Sequence, residues 1–416
     1  MVSYMPRVVD SELSAALASA GAVVLRGARA VGKSETARRK AKSELRLDGD
    51  SPRAVLARSQ PSTALAGDQP RLLDEWQVAW GLWNQVKHAV DDEPGPGRFI
   101  LTGSALPDDD PLRHSGAGRF RRLLMRTMTL AESGDSTGAV TLTDILAGSV
   151  DLQESRTDFQ RLVSRLVKGG WPGWIRDGEV AARGRIEAYL DDITEVEFPQ
   201  VAGTRRDPRR FLAFLEAFAA VTAQPAPFAA ITRRMNEASA LTFGPMAVPE
   251  LFDMAARLFL VEDLPAWPPK LRSKTTALQT PKRHFTDPSL AAWLLRANSD
   301  RLIREPETTG FLFESQVVHD LRVYAQALGW RGVFHFRDTK GRDEIDVVAE
   351  TDAGDWIGIE VKLGMNAVDG AARSLLRVSS GIARPPAALV VVTPTGIAHR
   401  RDDAVLVVPL TVLGPG

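Results

Sequence analysis

The sequence predicts an α/β chain in three parts: a doubly wound parallel-sheet layer over residues 1–143, a helical, winged-helix-like region over 144–300, and a second α/β layer over 301–416. Three observations carry this. Short runs that are apolar on both faces recur near the start, each ending in glycine or polar residues, as buried parallel strands do. The middle changes to apolar residues at i, i+3, i+4 and i+7 spacing. After residue 310 a long helical stretch gives way to alternating strands.

In the first part, Ala22-Val23-Val24-Leu25, Arg71-Leu72-Leu73-Asp74 and Arg98-Phe99-Ile100-Leu101-Thr102 are the strands. Ser34 to Leu45 and Trp76 to Val90 have helical composition. In the second part, Phe211 to Phe218 and Pro249 to Leu260 form helices, and the extended Phe259-Leu260-Val261 that follows suggests a winged helix. In the third, a helix over Gly310 to Leu328 precedes strands at Gly332 to Phe336, Glu344 to Ala349 and Trp356 to Val361, and further strands lie at Ala388 to Val392 and Ala404 to Val408.

Composition sets outer limits. The 416 residues are 44% hydrophobic and 25% charged, which excludes disordered, collagen-like and coiled-coil chains. Lys+Arg and Asp+Glu are both 52, so no bulk charge favours coating a nucleic acid. There is no cysteine, which removes disulfides, thiol nucleophiles and Cys-ligated zinc. No run approaches the ~20 apolar residues that cross a bilayer. The apolar stretch Ala15 to Leu25 follows Asp10 and Glu12, unlike a signal peptide. A cytoplasmic protein with no membrane partner is the expectation.

The strongest motif is Gly27-Ala28-Arg29-Ala30-Val31-Gly32-Lys33-Ser34, followed by Glu35. It has the G-x-x-x-x-G-K-[ST] form, with a strand before it and a helix after it. The two glycines let successive N–H groups point inward at phosphate oxygens. Lys33 reaches the β- and γ-phosphates, and Ser34 ligates Mg²⁺. The expected ligands are therefore ATP, held by Gly27 through Glu35, and Mg²⁺, held by Ser34 and Asp74. Asp74 and Glu75 close the strand Leu72-Leu73-Asp74-Glu75, with Glu75 as the base that polarises water and Gln77 as a further contact. Thr102 or Ser104, at the end of another strand, is a candidate γ-phosphate sensor. The catalytic set is Lys33, Glu75 and Thr102. Among Arg119, Arg121, Arg122 and Arg126 lies a candidate arginine finger for a neighbouring copy, which allows an oligomer.

A second constellation lies near the C-terminus. Asp346 sits in Glu344-Ile345-Asp346-Val347-Val348, and Glu360 and Lys362 share one face of the next strand. A hairpin would set Asp346 beside Glu360, forming a hard oxygen site for Mg²⁺ with Glu314 from the preceding helix. Lys362 would orient an attacking water. The spacing is that of the restriction-endonuclease-like, PD-(D/E)xK, nuclease fold. The alternative reading is a salt-bridge cluster on such a scaffold. His284, in Pro281-Lys282-Arg283-His284-Phe285, reads as a structural histidine or a docking element.

Taken in this order, the motifs resemble a prokaryotic family of P-loop ATPases. Its members have an AAA-type N-terminal domain and a C-terminal domain of unknown function related to restriction-endonuclease-like nucleases. The resemblance rests on Leu25 to Ser34, Leu72 to Gln77, Phe99 to Ser104, Pro281 to Ala291, Gly310 to Val318 and Gly358 to Gly364, with Trp76 departing from the family's small aliphatic residue. It implies nucleotide binding at Gly32, Lys33, Ser34 and Asp74, with Glu75 as catalytic base. The expected function is a Mg²⁺-dependent ATPase whose nucleotide state is coupled to the C-terminal domains. The alternatives are an ATP-regulated Mg²⁺-dependent nuclease, or an ATP-responsive module that binds DNA or a protein partner without C-terminal catalysis.

Overall fold

The computed structural model describes residues 4–79, 81–103, 117–201, 207–269, 279–338 and 341–416. Two compact units form. The first is Met1–Thr127 with Trp171–Gly173 and Arg257–Phe259, and the second is Met128–Gly170, Trp174–Ala256 and Leu260–Gly416. The division after Thr127 differs from the sequence boundaries at 143 and 300. Strands β6 (Val140–Thr141) and β7 (Gln153–Glu154) are the reason, because they pair with β14 (Leu413–Gly414) and β12 (Ile397–Arg400).

In the first unit the strands are β1 (Ala22–Arg26), β2 (Ser43–Arg46), β3 (Arg71–Asp74), β4 (Phe99–Gly103) and β5 (Phe120–Leu124). Their order is β2-β3-β4-β1-β5, and every neighbouring pair is parallel. β3 and β4 are buried throughout, which explains their unbroken apolar character. Helix Leu82–Asp92 covers one face, burying Leu82, Trp83, Val86 and Val90, and the Trp83 ring stacks on Phe120 with centroids 4.0 Å apart.

Two helical expectations change here. The helix expected over Ser34 to Leu45 is only Lys33–Arg38, because Ser43–Arg46 is drawn into the sheet as the edge strand beside β3. The helix expected from Trp76 begins at Leu82. Residues Trp76–Val78 form a single tight turn, and Gly81 then takes the left-handed conformation at φ 85°.

The second unit begins with helices. Pro208–Ala219 carries a run of packed aromatics: Phe211 stacks on Phe198 at 4.2 Å, and Phe218 meets Phe285 edge-on at 5.2 Å. Helices Phe228–Ala238 and Ala247–Arg257 follow. Where a wing was expected, the extended chain after residue 259 pairs, among the described residues, through isolated bridges of Val261 with Phe285, Leu264 with Lys282 and Ala266 with His335.

The mixed sheet adds β8 (Gly332–Arg337), β9 (Glu344–Glu350), β10 (Trp356–Val361), β11 (Ala388–Thr393) and β13 (Leu406–Pro409), in the order β7-β12-β13-β11-β10-β9-β8. β9 and β10 form an antiparallel hairpin with Ile359 opposite Val347, and β10 and β11 are parallel. Helix Val368–Ser380 packs its Ala372 and Leu375 with Trp356 and Val391 into one apolar core. No described helix is long and apolar enough to cross a membrane.

Candidate functional site

The glycine-rich loop leaves β1 in a conformation that its sequence makes available. Gly27 has φ 150°, and a Cβ there would lie 2.0 Å from the Met125 carbonyl oxygen, so the loop can pass β5 only as glycine. Gly32 has φ 100° and starts the helix at Lys33. The Lys33 ammonium spans the loop, donating to the Gly27 carbonyl at 2.9 Å and the Ala28 carbonyl at 2.7 Å. Two groups outside the motif brace this turn. Arg7 donates to the Val31 carbonyl at 2.8 Å and to the Arg126 carbonyl at 2.8 Å, and the Trp171 indole donates to the Arg29 carbonyl at 3.1 Å. Beside the loop lies a cavity of about 600 Å³, lined by Tyr4, Arg7, Gly32, Thr36, Arg39 and Met125 among others. Tyr4 is held by Asp10 at 2.6 Å and Thr36 at 2.9 Å, and the Arg39 guanidinium lies 4.5 Å above its ring.

Sheet order brings the remaining groups to this loop. β4 lies between β1 and β3, with Thr102 in register with Leu25 on one side and Asp74 on the other. Asp74 is 3% exposed. Its Oδ1 accepts from the Ser34 hydroxyl at 2.7 Å and from the Thr102 hydroxyl, and its Oδ2 lies 3.5 Å from the Arg38 guanidinium. Ser34 and Asp74 thus present a hydroxyl and a carboxylate side by side, two hard oxygen donors of the kind that Mg²⁺ takes together with substrate phosphates. Thr102, expected as a γ-phosphate sensor, spends its hydroxyl on Asp74. Ser104 lies outside the described residues.

Glu75 follows in the left-handed conformation, φ 55°, which turns it away from the path of β3. Its carboxylate accepts from the Gln77 amide. Burial raises its pKa above the ordinary carboxylate value, although Gln77 and Lys33 oppose the shift. Gly103 makes room for this pair, since a Cβ there would lie 2.5 Å from Gln77 Oε1. Of the arginines proposed as a finger, Arg119 pairs with Asp91 at 2.6 Å and Arg122 lies over the Trp83 ring at 5.3 Å.

The second constellation is assembled within the C-terminal sheet. Asp346 accepts from the Val361 backbone N–H at 3.0 Å, and Lys362 lies 2.7 Å from Glu360 and 3.4 Å from Asp346. Glu314 reaches the same cluster from helix Pro306–Ala327. All four residues named from the sequence therefore meet. Two that it did not name also meet there: Glu344, and Lys282, whose ammonium is 2.8 Å from Glu314, 3.2 Å from Glu344 and 3.2 Å from Asp346.

Burial pushes Glu314 up to about 7 and Glu360 up to about 8, with the neighbouring Asp346 charge adding to the second. Burial would raise Asp346 as well, but Lys282 and Lys362 outweigh it and hold Asp346 below its ordinary value. These oxygens surround an ammonium group at hydrogen-bond distances. Mg²⁺ would need them at roughly 2.1 Å and would sit against a fixed positive charge. The residues present therefore do not fit the divalent ion that the nuclease reading requires. Among the described residues, no group of three acidic or histidine side chains could hold a metal.

His284 is buried, with Nδ1 2.8 Å from the Ser315 hydroxyl, and burial holds it neutral, well below its ordinary value.

Comparison with known proteins agrees with the first site. A family model described as an AAA domain matches residues 19–133. Two models described only as domains of unknown function match residues 159–301 and 309–413. Among solved structures, a Walker-type ATPase of Pyrococcus abyssi is 15% identical, with 70% of this chain and 96% of that chain covered and a TM-score of 0.43. A RuvB variant from Thermotoga maritima is 14% identical, with 62% and 89% covered and a TM-score of 0.26. A chain from Drosophila ORC bound to DNA is 14% identical, with 70% and 85% covered and a TM-score of 0.19. No curated protein matches. The AAA-domain match thus covers the residues that carry the glycine-rich loop, Asp74, Glu75 and Thr102.

Proposed function

We propose that the chain is a Mg²⁺-dependent ATPase, converting ATP to ADP and phosphate, whose nucleotide state is coupled to its C-terminal part. The observation that carries this reading is the contact of Ser34 with Asp74 beside a loop spanned by Lys33. Lys33 exchanges two neutral carbonyl partners for the β- and γ-phosphate oxygens, and the loop N–H groups cradle the triphosphate. The base and ribose occupy the cavity beside Tyr4 and Met125. Ser34 and Asp74 are the residues that would hold Mg²⁺, which neutralises phosphate charge when bound. Glu75 accepts a proton from the attacking water, and burial makes it a stronger base than an exposed carboxylate. Thr102 and Arg38 position Asp74. Coupling is supported by chain organisation: Trp171–Gly173 and Arg257–Phe259, from the helical middle of the sequence, belong to the first compact unit.

Calorimetry with ATP and Mg²⁺, run beside a phosphate-release assay, tests the reading. Saturable binding with steady phosphate release is expected. Binding without release would leave a nucleotide-responsive module and remove the hydrolase. No binding would remove the whole assignment.

A further inference from the structure

The C-terminal carboxylates raise a question that the ATPase reading does not touch: why four acidic side chains, three largely buried and Glu344 more than a third exposed, converge on two lysines. Glu314, Glu344, Asp346 and Glu360 meet two ammonium groups, Lys282 and Lys362. The two lysines are not equivalent. Lys362 is a third exposed and directly follows the strand that carries Glu360. Lys282 is 2% exposed and comes from a separate segment.

That segment is pinned along its length. The Lys282 N–H donates to the Leu264 carbonyl at 3.0 Å and its own carbonyl accepts from Leu264 at 2.8 Å. The next residue, Arg283, donates from its backbone to the Gln224 carbonyl at 3.1 Å and from its side chain to the Ala226 carbonyl at 2.8 Å, and pairs with Asp263. Further on, His284 is fixed to Ser315. The helical region thus anchors the backbone on both sides and drives one ammonium group into the centre of the acidic cluster. A buried carboxylate group needs a counter-charge, and a divalent ion and a lysine compete for that role.

We propose that Lys282 is a built-in counter-cation that holds the place of a divalent metal, so that this cluster is closed to Mg²⁺ and the C-terminal unit does not cut nucleic acid as it stands. Removing the ammonium group leaves the same carboxylates without their buried counter-charge and free to draw together around a divalent ion. The probe is Mn²⁺ alone, titrated into the full chain without nucleotide and followed by electron paramagnetic resonance. The wild-type chain and Asp346→Asn should take up the same amount. Lys282→Met should take up additional Mn²⁺, and adding Asp346→Asn to it should remove the gain. Lys282→Gln, which keeps hydrogen-bond donors without the charge, provides the same test if the methionine variant does not fold by circular dichroism.

Two results would overturn the proposal. One is wild-type Mn²⁺ uptake, or Mn²⁺-dependent cleavage of single-stranded or duplex oligonucleotides, that disappears in Asp346→Asn. The other is a folded Lys282 variant with no additional uptake.

Discussion

Two buried lysines divide this molecule between them, and their partners set them apart. Lys33, 6% exposed, rests on two backbone carbonyls of its own loop. Lys282 rests on three carboxylates. A carbonyl is a neutral dipole, so an arriving phosphate offers Lys33 a stronger, charge-assisted partner. Carboxylates already match the charge of Lys282, and withdrawing it would strand them in a low-dielectric site. On the proposed reading, the same side chain changes partners in one unit and is locked in the other.

The largest effect expected is from Lys33→Ala. It should lower kcat/KM for ATP by at least ~10²–10³-fold, whereas Lys282→Met should leave ATP affinity unchanged. Parallel calorimetry and phosphate release on both variants checks this, and equal losses in the two would break the contrast. Glu75→Gln should next lower kcat by about 10²-fold while ATP still binds, because only the proton acceptor is removed. A matching rise in KM would instead make Glu75 a binding group.

A smaller effect separates the units by pH. His335, 1% exposed, is held down to about 4 by burial, and Lys282 adds to that shift. His284 shifts in the same direction. A histidine with a lowered folded pKa stabilises the fold above its unfolded value near 6.5, and that stability is lost as pH falls toward 4. Denaturant unfolding should therefore show the second unit losing about 2 kcal/mol through His335 between pH 7 and pH 5, with His284 acting in the same direction. His335→Leu should flatten part of the slope, and an unchanged slope would remove His335 as its source. The smallest effect is from Arg38→Ala. Its long contact to the Asp74 carboxylate predicts about a five-fold weaker affinity for Mg²⁺-ATP, close to 1 kcal/mol.

The sites differ as well in how readable they were. The loop from Gly27 to Ser34 is local: its conformation and its ligand chemistry reside in consecutive residues, and the strand before it is an apolar run. Asp74, Glu75 and Thr102 were readable as strand ends. That Thr102 serves Asp74 was not readable, because it depends on β4 inserting between β1 and β3. Asp346, Glu360 and Lys362 were marked by a short spacing and an alternating strand, and Glu314 by the helix before them. Lys282 carried no mark of spacing, and its stretch stood out only through the family resemblance over Pro281 to Ala291. It stands 32 residues before Glu314 and 64 before Asp346, in a turn-like stretch without periodicity. Likewise the short helix after the loop departs from its composition because pairing of β2 with β3 outweighs helix propensity over Ser43–Arg46.

The sequence alone determined the strand runs, the glycine-lined turn and the acidic motif, since each depends on neighbouring side chains and on a backbone period of two or 3.6 residues. Only the tertiary structure decided which cation each acidic group faces. Charge compensation in a dry interior is settled by whatever the fold brings within about 3 Å, and chain distance places no limit on that.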